Sequence, residues 1–143
     1  MFGRLLLSAF AVSLFAGSAH AATFQVYVNG LQSAQGNILL SVFNDADAFP
    51  KDASRAVYKI KVRSVQPETI VTIKNVPPGD YAVAVVHDEN ANDQMDKSGI
   101  GLPKEDFGFS NDAMGTFGPP SFKKAKVVVA PQGTAIRINL KSM

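Results

Sequence analysis

The sequence predicts an all-β fold: a single antiparallel seven-stranded β-sandwich with one long irregular loop. Three observations carry that expectation. Apolar residues recur with a period of two through most of the chain beyond residue 21, and no stretch there shows a convincing 3.6-residue period. Clusters of Gly, Pro, Asn and Asp separate the apolar runs. The 143 residues, 46% of them hydrophobic, suit one globular domain with a core of its own.

The first segment reads as an address rather than as structure. Arg4 precedes an apolar run from Leu5 to Ala16, and small residues follow, ending in Ala19-His20-Ala21. A basic start, a short apolar core and an A-x-A site make a secretory signal peptide over residues 1–21, cleaved after Ala21. The apolar run is shorter than the roughly 20 residues a spanning helix needs. The expected product is a protein exported to the bacterial periplasm or outside the cell, residues 22–143, with no membrane span after cleavage. The absence of cysteine removes disulfides, zinc–cysteine sites and a thiol nucleophile.

Each strand has its own signal. Phe24, Val26 and Val28 alternate with Gln25, Tyr27 and Asn29. Asn37–Phe43 is more continuously apolar, and residues 44–50 read as loop. Tyr58, Ile60 and Val62 alternate with Lys59, Lys61 and Arg63, giving a strand with one wet basic face. Residues 69–74 form another strand, ended by Pro77-Pro78-Gly79. Tyr81–Val86 is apolar on both parities, as expected of a central strand, with Tyr81 placed to bond the backbone as a corner tyrosine. Residues 126–130 and 135–140 flank the turn Pro131-Gln132-Gly133. The resulting sandwich is of the immunoglobulin-like or transthyretin-like kind.

Residues 87–122 carry no strand pattern. A connection of that length marks function or counts against the assignment. It opens with Asp88, Asn90, Asn92 and Asp96 at positions 1, 3, 5 and 9 of a calcium-loop spacing, with Gln94 at position 7 offering a backbone carbonyl. Alternate residues of a tight loop point hard oxygens inward, which is what Ca2+ requires. Met95 is placed to pin the loop to the core. Position 6 is Asp93 where a sharp turn favours Gly, and position 12 is Gly99, so the closing bidentate carboxylate of an EF-hand is missing. Glu105 or Asp106 is a candidate replacement. The competing reading is a solvated turn whose asparagines cap their own backbone.

The charge distribution sharpens this. The formal net charge is only +2, which argues against a nucleic-acid binder, but residues 88–112 hold seven acids and two bases. Carboxylates about 6 Å apart repel by roughly 0.7 kcal/mol in water and about 3 kcal/mol near a protein surface, so a loop that gathers several gains from a cation. His87 is the one histidine beyond residue 21. A zinc site would want more nitrogen or sulfur ligands. His87 is a weak catalytic candidate as a general acid or base, and its blander role is to hydrogen-bond the loop, to Asp88 or Asp106 for example. Phe107, Phe109, Phe117 and Phe122 either pin the loop to the sheet or present an aromatic surface to a partner.

Taken together, residues 76–84 (VPPGDYAVA), His87-Asp88-Glu89-Asn90, Asp96, residues 101–105 (GLPKE), Gly108-Phe109-Ser110-Asn111 and Gly118-Pro119-Pro120-Ser121-Phe122 form an ordered series. In that series, and over about residues 24–140, the chain resembles the small exported bacterial family catalogued as domain of unknown function 2141. The resemblance implies a bacterial envelope or secreted protein and carries no activity with it. The family's pattern continues with small, glycine-rich positions where this chain has Ala91 and Asp93.

The expected function is a non-catalytic binding or interaction module for an unknown envelope ligand or protein, its 87–122 loop organised by calcium. One alternative is an envelope enzyme in which His87 works with Asp88, Glu105 or Asp106 across a cleft. The other is a purely structural loop capping the sandwich, which deep burial of all four phenylalanines would favour.

Overall fold

The computed structural model describes residues 21–100 and 103–142. The expected signal peptide, residues 1–21, lies outside the described residues but for Ala21. The fold is all-β and contains two sheets. The first has the order β4-β1-β8, formed by Glu68–Val76, Ala22–Asn29 and Thr134–Asn139. The second has the order β3-β2-β5-β6, formed by Tyr58–Arg63, Asn37–Phe43, Gly79–Asp88 and Phe107–Phe109. A further short strand, β7 (Val127–Val129), pairs with the start of β5. A single helical turn, α1 (Phe122–Ala125), precedes β7, with Ser121 Oγ accepting the Lys124 N–H as its cap.

Two expectations are corrected here. Among the described residues there are eight strands rather than seven, because β6 lies inside the segment read as an irregular loop. Phe107-Gly108-Phe109 is too short to display a period. It is a strand because β5 pairs with it on one side, and the Phe107 and Lys141 main chains exchange hydrogen bonds of 3.0 and 2.7 Å on the other. The sheets are also not wholly antiparallel: β1 and β8 run parallel from Phe24↔Thr134 to Asn29↔Asn139. Strand direction is a property of the long-range path and leaves no trace in the local alternation.

The alternation itself sorts the core as expected. Phe24, Val26 and Val28 of β1 pack between the sheets with Leu40 and Val42 of β2, Val83 and Val85 of β5, and Ile138 of β8. β5 is the central strand of its sheet, paired with β2 along Ala82–Asp88 and with β6 and β7 on its other edge. The opposite parity of β5 turns Ala82 and Ala84 outward, which is why that sheet needs a second cover. Phe43, Phe49, Phe107 and Phe109 form a second core there, with Phe122 and Met95 packed against it. Phe49 meets Phe43, Phe109 and Phe122 edge-on at centroid separations of 5.4, 5.9 and 6.1 Å. The 44–56 connection and the 87–125 segment therefore close over one face of the five-stranded sheet.

The entry to β5 behaves as its sequence indicates. Tyr81 Oη donates to the Pro77 carbonyl at 2.7 Å, four residues upstream. Burial, followed by the neighbouring Tyr58, raises its pKa. Ser110 locks the segment after β6 onto the sheet, since its buried Oγ accepts the Val83 N–H and donates to the Ala125 carbonyl. Asp112, one of the seven acids of the loop, is spent on β8: its two oxygens accept the Asn139 N–H and side-chain amide, each at 2.8 Å.

Candidate functional site

β5 ends in His87-Asp88, and the strand pleat sends these neighbours to opposite faces. His87 follows the parity of Val83 and Val85. Asp88 follows that of Ala82 and Ala84. Both are fully buried, so one strand end feeds two separate polar clusters.

The outer cluster is the loop with calcium-type spacing. Asp88 accepts the Asn92 N–H at 3.2 Å through Oδ1 and the Asp93 N–H at 2.8 Å through Oδ2. The chain turns sharply enough to place Ala91 and Asp93 in the left-handed region, at φ 53° and 62°. Asp93 thus adopts the backbone that a glycine would supply, and its own carboxylate turns out to Lys61 on the basic face of β3, at 3.2 Å. Asn90 Oδ1 accepts the Asn92 N–H and Asn92 Oδ1 accepts the Gln94 N–H, in successive Asx turns. The two asparagine NH2 groups converge on Asp96, at 2.5 Å to Oδ2 and 2.7 Å to Oδ1. These donors hold the Asp96 carboxyl below its usual range, Asn92 first and Asn90 second.

Glu105 closes this knot. Its Oε1 accepts the Asp96 N–H at 2.9 Å and its Oε2 the Glu89 N–H at 3.0 Å. Burial raises its pKa. Of the two candidate replacements for a closing carboxylate, Glu105 joins the loop and Asp106 does not. Asp88, Asn90, Asn92 and Asp96 are brought together by hydrogen bonds within the turn, the asparagines capping their own backbone as the competing reading expects, and Glu105 joins them from outside the spacing. Gln94 contributes an amide donor through its backbone, its side chain stays exposed, and Met95 anchors the loop to the second core.

The inner cluster was only partly legible. His87 Nε2 lies 2.8 Å from the Gln35 carbonyl, and its Nδ1 faces Glu89 Oε1 at 3.9 Å. Asp106 completes the group, with one ligand atom from each of the three residues within 4.8 Å of the others. Asp106 is buried, and burial and then the nearby Glu89 carboxylate raise its pKa, against a smaller opposing effect of His87. The expected hydrogen bond from the His87 ring to a carboxylate does not form: Asp106 lies beside the ring without bonding it, and Asp88 lies on the other face. Glu89 shares the parity of His87, which is the signal that could have joined them. Gln35 and Gly36 could not be placed from sequence. Gly36 (φ 69°) sits where a Cβ would lie 2.0 Å from the Asp88 carbonyl oxygen, so only glycine lets this turn approach the strand end.

The four phenylalanines divide. Phe107 and Phe109 are buried and Phe122 is half-buried, but Phe117 is fully exposed. It stands beside a shallow depression of about 500 Å³ lined by Phe49, Pro50, Pro119 and Pro120.

The order of these pieces along the chain, from the central strands through the His87-Asp88 pair to the Pro119-Pro120 return, is matched over residues 26–137 by the family profile described as "Uncharacterized protein conserved in bacteria (DUF2141)". The chain belongs to the DUF2141 family. No curated protein and no solved structure is detectably similar to it. In this DUF2141 chain no helix among the described residues is long and apolar enough to cross a membrane.

Proposed function

We propose that this DUF2141 protein is an exported bacterial binding module whose 87–122 segment is its contact surface. The observation that carries the reading is Phe117. A capping loop with no other role would turn its large apolar side chains inward, as this one does with Phe107 and Phe109. Phe117 instead exposes its whole ring beside a depression rimmed by prolines, an apolar feature on stiffened backbone. The catalytic alternative has weaker support, because the His87 ring is fully buried and is not offered to a substrate arriving from solvent. The test is retention of bacterial envelope material on the immobilised protein and on a Phe117→Ser variant. The binding reading expects a component held by the wild type and released by the variant, and equal retention by both overturns it.

Calcium as the organiser of the same segment has its own support. Asp88, Asp96 and Glu105 meet in one small loop, where burial first, and then the neighbouring Asp96 and Asp88, disfavour the charged form of the Glu105 carboxyl. A hard divalent cation would relieve that crowding more fully than a proton.

A further inference from the structure

We propose that His87, Glu89 and Asp106 form a divalent transition-metal site of the zinc type, distinct from the acidic loop on the other face of β5. Two buried atoms point to a missing occupant. His87 Nδ1 and Asp106 Oδ2 have no hydrogen-bond partner, in residues that are 0% and 6% exposed. Orphaned polar atoms are rare in an interior because burial strips their water and puts nothing in its place. Here both belong to residues that, with Glu89, bring one donor atom each within 4.8 Å of one another.

The ring orientation makes the space between them a ligand pocket. Nε2 lies 2.8 Å from the Gln35 carbonyl, which can only accept, so Nε2 carries the hydrogen. In the tautomer that this bond selects, Nδ1 turns its lone pair toward Glu89 Oε1, 3.9 Å away, with Asp106 beside it. An acceptor aimed at acceptors is unfavourable until a cation sits between them. A backbone carbonyl on the far nitrogen is also the usual device for orienting a metal-bound imidazole. Glu89 is held similarly: Ser33 Oγ donates to Oε2 at 3.3 Å, leaving Oε1 turned to Nδ1.

The donor set selects the ion. One imidazole is fewer nitrogen ligands than a zinc site usually has, but joined by two carboxylates it still suits zinc and its neighbours, whereas calcium favours oxygen throughout. Metal–ligand bonds of about 2.0–2.2 Å bring donor atoms to about 3.5 Å apart, somewhat closer than they lie here. Glu89 supplies the movement, because its side chain is 40% exposed while His87 and Asp106 are fixed by packing. The same exposure provides an entry path, and the fourth position falls to water.

The experiment is titration of chelator-treated, untagged protein with Zn2+ against a chromophoric competitor, repeated with Co2+ to read the visible absorption of a four-coordinate ion. About one equivalent should bind, and millimolar Ca2+ should not displace it. Glu89→Gln alters a half-exposed residue, so the fold survives, and it should weaken binding at least about tenfold. Asp106→Asn should do the same, and the His87 Nδ1 nitrogen resonance should shift on metal addition in the wild type. Absence of uptake at micromolar Zn2+ overturns the site. So does uptake indifferent to Glu89→Gln and Asp106→Asn, or uptake that Ca2+ displaces, which would place the ion in the 88–96 loop.

Discussion

Gly36→Ala is the sharpest probe of how the turn before β2 seats the site. Gly36 has φ 69°, and an added Cβ would lie 2.0 Å from the Asp88 carbonyl oxygen and 2.7 Å from Glu89 Cα. These are main-chain atoms in the strand end that carries both clusters, so no side-chain rotation relieves the clash. The left-handed backbone costs an alanine about 1–2 kcal/mol. Forcing the turn off the strand adds roughly 1–3 kcal/mol. The total of about 2–5 kcal/mol is a large share of the 5–15 kcal/mol typical of a whole domain. At about 4 °C per kcal/mol for a domain of this size, Tm should fall by roughly 8–20 °C in a thermal melt followed by circular dichroism. The Gln35 carbonyl moves with the turn, so the amide resonances of His87 and Glu89 should shift more than those of β1. A fall of less than about 2 °C, roughly half a kcal/mol, would refute the reasoning, because the turn would then be free to retreat from Asp88.

Three further outcomes are expected. Ser110→Ala strands the buried Val83 N–H and Ala125 carbonyl together and should cost about 2–4 kcal/mol in urea unfolding, whereas a loss under about 0.5 kcal/mol would mean both groups find water. Tyr81 has its folded-state pKa raised above the ordinary 10.0, so the stability linked to its protonated form is complete below that value and is lost as pH rises through the folded value. Tyr81→Phe should therefore cost about 1 kcal/mol at pH 7 through the lost bond to Pro77, and its deficit against wild type should narrow in alkali, a constant deficit being the contrary result. Calcium at 100 times its dissociation constant should add about 2.7 kcal/mol, near 10 °C in Tm, and Asp96→Ala should abolish the gain; no shift at millimolar calcium would remove calcium from the 88–96 loop.

Much of the scaffold was legible because alternation reports burial directly. Phe24, Val26 and Val28 identify β1, and the doubly apolar run at Tyr81–Val86 identifies the central strand of the larger sheet. The convergence of Asp88, Asn90, Asn92 and Asp96 was legible for a similar reason, since a tight turn forces alternate side chains together. What escaped depends on distant partners. β6 exists through its pairing with β5 and Lys141 rather than through any preference of Phe-Gly-Phe. The choice of Glu105 over Asp106 was invisible because adjacent residues face opposite ways, and which way is decided by the register of β6. The Gln35 carbonyl reaches His87 across 52 residues of sequence, and no local pattern announces such a contact.

The binding reading is tested most directly by a photo-crosslinking amino acid placed at Phe117 in the living bacterium, with Val128 as a control, because Val128 is also an exposed apolar residue but lies on β7. Position 117 should yield a discrete covalent adduct, identifiable by mass spectrometry, that position 128 does not give. No adduct at 117, or the same adducts from both positions, would contradict a contact surface in the 87–122 segment.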